Sequence, residues 1–427
     1  MTIQIGILGL GTVGNGVISI LQQNAVDINT RTQTEIIVKK ILVRDLKIKR
    51  KVSGDFQLTD QADDILNDPE IEIIVEVMGG IEPARTYILE ALRQGKHVVT
   101  ANKDLLALHG QELLTAANEA GKTLYFEASV AGGIPIIAAL KHALAANKIT
   151  ALLGIINGTT NYILSAMVEQ GRDYAEVLAE AQSLGYAEAD PTADVDGLDA
   201  ARKLAILSSI AFNSRVTIND VFVEGISKIT PQDLAYAAEL GCTIKLLAIA
   251  KHQDEGIEVR VHPAILPKSH PLASVSGVFN AIYVIGDAVG ETMFYGRGAG
   301  SLPTGSAIVS DIIRVIRNIQ ASAPAINCTC YNNLDLKSSS DFITSFYIRL
   351  LVKDEPRVLA TLALLFAEAN ISFASIIQKT QGAQQAEIVL VTHPCREGDL
   401  QDALSSVRAY SKVLNINNVI RFENGEV

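Results

Sequence analysis

The stretch Gly9-Leu10-Gly11-Thr12-Val13-Gly14 narrows most what this chain can fold into. Ile3 to Leu8 before it is apolar and isoleucine-rich, so it reads as a short buried strand. After it, Val13, Val17, Ile20 and Leu21 recur at helical spacing. Glycines at the first, third and sixth places of a strand–turn–helix junction each have a task. Gly9 permits the tight turn, Gly11 lets backbone approach a pyrophosphate, and Gly14 lets the helix pack on the strand. The helix N-terminus then offers its N–H groups to the phosphates. Outside this setting the pattern is only a tight turn; within it, the segment is predicted to bind a dinucleotide.

The segments that follow extend the same architecture. Ile36 to Val43 reads as a second strand ending in Arg44-Asp45. An acid there binds the ribose 2′-OH of NAD, whereas an arginine accommodates the 2′-phosphate of NADP. Lys47, Lys49, Arg50 and Lys51 follow, so NADP is favoured and NAD use stays open; a solvated basic turn is the plain alternative. Further strands are expected at Ile73 to Val77, His97 to Thr100 and Leu124 to Glu127, with a helix to about Leu92 between the first two. This alternation gives a Rossmann-type, doubly wound parallel sheet. Lys103 lies just beyond the carboxyl end of a strand, where such sheets place ligands, although a lone lysine there is often an ordinary surface residue. Ala128 to Pro135 is a small-residue turn whose carbonyls are free to bind something.

From about Ile136 the pattern becomes mixed α/β, with strands at Leu152 to Ile156, Lys245 to Lys251, Glu258 to His262 and Ala281 to Val289. Tyr295 to Gly305 is glycine-rich, unlike a core strand, and a helix from Ser306 to about Ile319 returns to the first domain. Asn327 to Asp341 is polar and reads as a linker. Beyond it the order βαββαβ is ferredoxin-like. The expected division is 1–135 with the return helix 306–326, a catalytic and dimerisation domain 136–305, a linker 327–341 and a terminal domain 342–427.

Composition excludes several classes. A chain of 427 residues fits two to three domains, and a formal charge of −11 argues against nucleic acid and anionic membrane as partners. Cys242, Cys328, Cys330 and Cys395 lack zinc or redox spacing, as expected of reduced thiols in a cytoplasmic enzyme. No basic segment leads an apolar stretch at the N-terminus, and no apolar run reaches the roughly 18–20 residues of a membrane span.

The densest polar run is Ala181 to Lys203, AQSLGYAEADPTADVDGLDAARK, with Glu188, Asp190, Asp194, Asp196 and Asp199 ahead of an apolar helix. A solvated acidic loop is the bland reading, and an Asp199–Lys203 helical pair is another. A calcium loop beginning at Thr192 would need a glutamate where Lys203 stands, so that reading fails.

This run resembles the signature of homoserine dehydrogenases at Ala181, Gly185, Tyr186, Ala187, Asp190, Pro191, Asp194, Val195, Gly197, Asp199 and Lys203. Asn157-Gly158-Thr159-Thr160, Ala101-Asn102-Lys103, Glu127-Ala128-Ser129-Val130 and Gly298-Ala299-Gly300 are similar to further landmarks of that family, and no kinase domain precedes the fingerprint, as in its monofunctional form. The resemblance implies NAD(P)H-dependent, reversible reduction of L-aspartate 4-semialdehyde to L-homoserine. It implies catalytic roles for Lys203, Lys103 and Asp199, and substrate binding by Glu188, Thr159, Tyr186 and Asp194. It also implies nucleotide contacts at Leu10, Thr12, Val13, Arg44, Thr100, Lys103 and Gly300, and sodium on the backbone carbonyls of Glu127, Val130, Gly132 and Ile134. The chemistry is coherent. Hydride delivery to an aldehyde builds charge on oxygen, which an ammonium can stabilise and protonate. A lysine near its ordinary pKa of roughly 10.4 does this poorly at neutral pH, so burial or a second lysine would have to lower it.

The terminal unit resembles an ACT domain. Asp354-Glu355-Pro356-Arg357-Val358-Leu359 stands where D-x-P-G-V-L is usual, with Arg357 in the glycine place, while Asn370-Ile371-Ser372 keeps the usual pattern. The resemblance implies either inhibition by L-threonine or a purely oligomerising role, in a homodimer or homotetramer. Two rival functions remain. An acylating dehydrogenase needs a nucleophilic cysteine, and only Cys242 lies mid-domain, leading into an apolar segment. A non-enzymatic sensor would have no use for Lys103, Lys203 and Glu188 together.

Overall fold

The computed structural model describes residues 1–48, 54–253, 256–323, 326–382 and 384–423. Lys49, Arg50 and Lys51 of the basic cluster lie outside the described residues. The chain forms two compact units, the first comprising Met1–Ile149, Arg202–Asp220 and Ile285–Asn333, the second Thr150–Ala201, Val221–Val284 and Leu334–Val427.

The first unit is built on six parallel strands, numbered in chain order Thr2–Leu8, Glu35–Leu42, Gln57–Thr59, Ile71–Glu76, His97–Thr100 and Leu124–Tyr125. Their spatial order is 3-2-1-4-5-6. The order reverses between the first and fourth strands, and that switch point is where open α/β sheets bind ligands. Isoleucine and valine dominate because the sheet is covered on both faces: Ile7 and its neighbour Leu8, and Ile73, Ile74 and Val75 in succession, are all 0% exposed. The fingerprint helix Thr12–Gln23 buries Gly14, Gly16, Val17, Ile18 and Leu21.

Two expectations are corrected here. The strand foreseen over Leu124 to Glu127 ends at Tyr125, and Glu127–Ser129 is a 3-10 turn. The Glu127 N–H donates to Asp311, while its carboxylate accepts the N–H groups of Ile137 and Ala138 at 2.8 and 2.7 Å. These bonds draw the chain out of the sheet. The return helix begins at Ser301, not Ser306. Pro303 sits in its first turn, where a missing N–H is tolerated. Gly305 lies against the backbone of Gly16, with its Cβ position 2.7 Å from the Gly16 carbonyl carbon. The glycine-rich Tyr295–Arg297 belongs to the strand Gly290–Arg297, whose exposure alternates along its length.

In the second unit, Ile149–Ile155, Cys242–Gln253, Gly256–Pro267, Val413–Phe422, Phe346–Lys353, Gln385–Thr392 and Phe373–Gln381 lie side by side. All neighbours are antiparallel except Gly256–Pro267 and Val413–Phe422. The last four strands with helices Val358–Glu368 and Glu397–Ala409 make the βαββαβ domain. Its core is Phe346, Ile348, Leu350, Leu362, Phe366, Leu390, Leu404 and their neighbours. Arg357, at the place that favours glycine, takes φ +74.

Candidate active site

In the first unit the fingerprint glycines divide by function. Gly9 has φ +108, and a Cβ there would lie 2.9 Å from the Val77 carbonyl oxygen. A Cβ on Gly14 would lie 2.5 Å from the Gly9 oxygen. Gly11 has nothing within 4 Å, so it keeps space open at a helix start that no side chain caps. A groove of about 710 Å³ lies here, lined by Gly9, Leu10, Gly11 and Arg44 together with Asp60 and the Val77–Gly80 turn. Of the other expected nucleotide residues, Thr12 accepts the Ser301 hydroxyl at 2.8 Å, and Val13 follows it on the same helix. Gly300, at φ +123, leads directly into Ser301. Asp45 accepts the Lys47 N–H at 2.8 Å and so shapes its own turn.

Thr100 is fully buried, and its hydroxyl donates to Glu76 Oε2 at 2.6 Å. Glu76 also accepts the N–H groups of Met78 and Gly79, so it shapes the turn that lines the groove. Burial pushes its carboxyl above the usual range. Sequence reasoning overlooked Glu76. The signal was there, in an acid that follows the apolar run Ile73-Ile74-Val75 at the end of its strand.

Lys103 is the first residue of helix Lys103–Glu119. Asn102 caps that helix, accepting the Leu105 N–H at 3.1 Å and donating to the Gly80 oxygen at 2.7 Å. Asp104 pairs with Arg202 Nε at 3.2 Å. The ion pair therefore joins the immediate chain neighbours of Lys103 and Lys203. Both lysines are half-buried. Lys203 itself stands one turn after Asp199 on helix Leu198–Ala211.

In the second unit the acidic run is a folded loop. Asp190 accepts the Thr192 N–H and hydroxyl at 3.1 and 2.6 Å, and these bonds hold its carboxyl below its usual range. They open the short helix Thr192–Val195. Asp199 is 4% exposed, and Asp194 is half-buried. Asn157 donates to both, to Asp194 Oδ1 at 2.7 Å and to Asp199 Oδ2 at 2.8 Å. The Thr159 hydroxyl donates to the Tyr186 carbonyl at 2.7 Å, and the Tyr186 ring lies 4.9 Å from that of Tyr162. Glu188 is exposed, and its carbonyl accepts from Gln182 Nε2 at 3.1 Å. The loop is pinned from behind: Ile226 N–H donates to the Val195 oxygen at 2.8 Å, and Gly197 at φ +83 lies against Val223 and Val261. Asn157, a residue to which the sequence reading gave no role, thus joins Asp194 to Asp199, and Thr159 separately joins Tyr186.

The expected cation turn is buried, with Glu127, Val130 and Ile134 at 3%, 0% and 2% exposure. Two oxygens, Thr304 Oγ1 and the Gly298 carbonyl, close on the Cβ position of Gly132 at 2.6 and 3.2 Å. Oxygen is the donor that a hard cation takes. Burial, then the Asp311 charge, pushes the Glu127 carboxyl up to about 7. Cys242 is buried at the start of a strand, its Sγ bonds to the Leu240 oxygen, and burial pushes its thiol up. A nucleophilic cysteine needs the opposite.

Comparison with known proteins gives the family. Residues 135–313 match the homoserine dehydrogenase family, residues 9–127 the homoserine dehydrogenase NAD-binding domain, and residues 346–411 the ACT domain. The homoserine dehydrogenase of Synechocystis is 48% identical over 434 residues, covering 99% of each chain. That of Bacillus subtilis is 45% identical over 425 residues, covering 99% of this chain and 98% of its own. The crystal structure of a homoserine dehydrogenase from Thiobacillus denitrificans superposes with a TM-score of 0.96 at 44% identity, covering 99% of each chain. With matches along nearly its whole length, a 3-2-1-4-5-6 nucleotide-binding sheet and a terminal ACT domain, this chain belongs to the homoserine dehydrogenase family of NAD(P)-dependent oxidoreductases.

Proposed function

We propose that Lys203 is the proton donor when L-aspartate 4-semialdehyde is reduced to L-homoserine, and the acceptor in reverse, with Lys103 as the second cation. A bound nicotinamide cofactor supplies or takes the hydride. The ammonium of Lys203 stabilises charge on the carbonyl oxygen and delivers the proton there. Asp199, one turn earlier on the same helix, orients Lys203 or a water. Glu188 takes the substrate ammonium, while Thr159, Tyr186 and Asp194 line the substrate. The observation that carries this reading is the Asp104–Arg202 pair at 3.2 Å, which ties the start of the Lys103 helix to the residue before Lys203. Arg44 on the groove supports a preference for NADP over NAD. Glu127, Val130, Gly132 and Ile134 hold sodium through their carbonyls, and the oxygen lining of their turn supports this. The enzyme works as a cytoplasmic homodimer or homotetramer; no helix among the described residues is long and apolar enough to cross a membrane.

L-Threonine inhibits through the ACT domain in this reading. Its support is a bonded path inside the second unit. Arg421 of the last strand pairs with Glu224 at 2.8 Å, Glu224 N–H donates to the Val261 oxygen, and Ile226 N–H to the Val195 oxygen of the acidic loop. In steady-state kinetics with NADPH and NADH, with and without threonine, Lys203→Ala is expected to lose turnover while binding NADPH as wild type does. Wild-type turnover in that variant would remove Lys203 from the mechanism, and equal rates with threonine present would remove the effector.

A further inference from the structure

The amide of Asn157 uses every hydrogen-bonding position it has. Its Nδ2 donates to Asp194 Oδ1 at 2.7 Å and to Asp199 Oδ2 at 2.8 Å. Its Oδ1 accepts the Thr160 N–H at 2.9 Å and the Thr160 hydroxyl at 3.0 Å. That accounts for two donors and two lone pairs. The orientation is set by chemistry: a reversed amide would turn its oxygen onto two carboxylates and its NH2 onto a backbone N–H. The residue is 5% exposed and caps the helix Gly158–Gln170, so it is held by a rigid element.

Helix capping alone does not require asparagine. It uses only the oxygen, and serine or aspartate supply that as well. The NH2 group is a separate device. Two carboxylates that both reach one nitrogen are close enough to repel each other, and a shared pair of N–H donors offsets that repulsion in a fixed geometry. Asn157 lies 37 and 42 residues before the two carboxylates, so its bonds tie their loop to the helix that it caps.

We propose that Asn157 is a positioning residue for the reaction: its NH2 group sets Asp194 and Asp199 in register, and through Asp199 the lysine one helical turn on. The inference rests on the roles given above to Asp194, Asp199 and Lys203. The test uses Asn157→Ser and Asn157→Asp in the full chain, since both keep a capping oxygen and lose the NH2. Asn157→Ser is expected to melt close to wild type and Asn157→Asp lower, since its added carboxylate is buried beside two others, and both are expected to bind NADPH unchanged. Asn157→Ser should lose about 100-fold in kcat, with a raised KM for the semialdehyde, and Asn157→Asp should lose more because it adds a third carboxylate. Asn157→Ser combined with Asp199→Ala should be no slower than Asp199→Ala alone, within about threefold. Three results overturn the proposal: kcat of Asn157→Ser within about threefold of wild type, losses that multiply in the double variant, or collapse of the melting temperature in both single variants. Full turnover in Lys203→Ala instead overturns the site assignment on which the proposal stands.

Discussion

Thr123 donates its backbone N–H into Nδ1 of His97 at 3.1 Å, a bond that only the neutral imidazole can accept. Burial, and after it the ammonium of Lys122, hold this histidine down at about 4. An unfolded histidine titrates near roughly 6.5, so between the two values the unfolded chain binds more protons. The contribution is therefore complete above the unfolded value and is lost as pH falls through that window to the folded one. His97 opens the fifth strand of the nucleotide-binding sheet, so this acid sensitivity belongs to that unit. Glutamine can accept the same N–H without titrating. His97→Gln should show a smaller drop in melting temperature between neutral pH and about pH 4.5 than wild type. Parallel slopes in the two proteins would show that His97 is not the group responsible.

The fingerprint helix Thr12–Gln23 and the return helix Ser301–Ala321 meet backbone to backbone, and two glycines make that approach feasible. A Cβ on Gly16 would lie 2.1 Å from the Ser301 oxygen. Helix propensity alone says that Gly16→Ala should stabilise by about 1 kcal/mol. Overpacking against backbone costs more, about 1–3 kcal/mol and above, and it wins here because neither partner atom is the end of a flexible side chain. Gly16→Ala should lower the melting temperature by several degrees, whereas Gly11→Ala, with open space around it, should melt as wild type and bind NADPH at least about tenfold more weakly. An unchanged melting temperature for Gly16→Ala would refute the close packing. The same contact marks the boundary of what was legible beforehand. Five of the six strands and the fingerprint announce themselves through apolar runs and glycine spacing, which are local signals; Gln57–Thr59, three residues with no apolar run, does not. The start of the return helix does not, because Gly300 to Gly305 has the composition of a loop and becomes helical through its fit against Gly16. Glu127 likewise ends its strand early through bonds to Ile137 and Ala138 beyond the next turn and to Asp311, 184 residues away. Lys203 and the carboxylates were legible as types in a pattern. The amide that joins two of them was not, since its partners lie 37 and 42 residues away.

At the scale of the molecule, the ACT domain is continuous with the sheet of its unit instead of hanging from a linker. Val413–Phe422 pairs in parallel with Gly256–Pro267 at Ala264–Arg421 and Ile265–Phe422, and Glu423 N–H extends the ladder to the Ile265 oxygen. The polar connector expected to be a tether is bonded too, with Ile257 N–H donating to Asp335 and Lys337 N–H to Ile257. Side chains seal the junction. Glu423 meets Lys251 at 2.6 Å and Arg260 at 3.1 Å, and Arg260 is 1% exposed. Arg349 reaches Asp233 at 2.7 Å and Glu387 at 2.9 Å, while Tyr236 donates to Glu387 at 2.8 Å. A chain ended at residue 340 would lose all of these partners from one side. Water would resolvate the freed charges, so the cost is less than that of buried unpaired ions. What water cannot repair is the apolar surface around Tyr236 and the unpaired edge of Gly256–Pro267, a template for association. The 1–340 chain should therefore melt at least about 10 °C below the full chain and aggregate on heating. Melting curves and light scattering check this. A 1–340 chain that stays monodisperse and melts like the full protein would mean that the ACT domain is an independent module, and the bonded path from Arg421 to the acidic loop would then have no hold on the reaction.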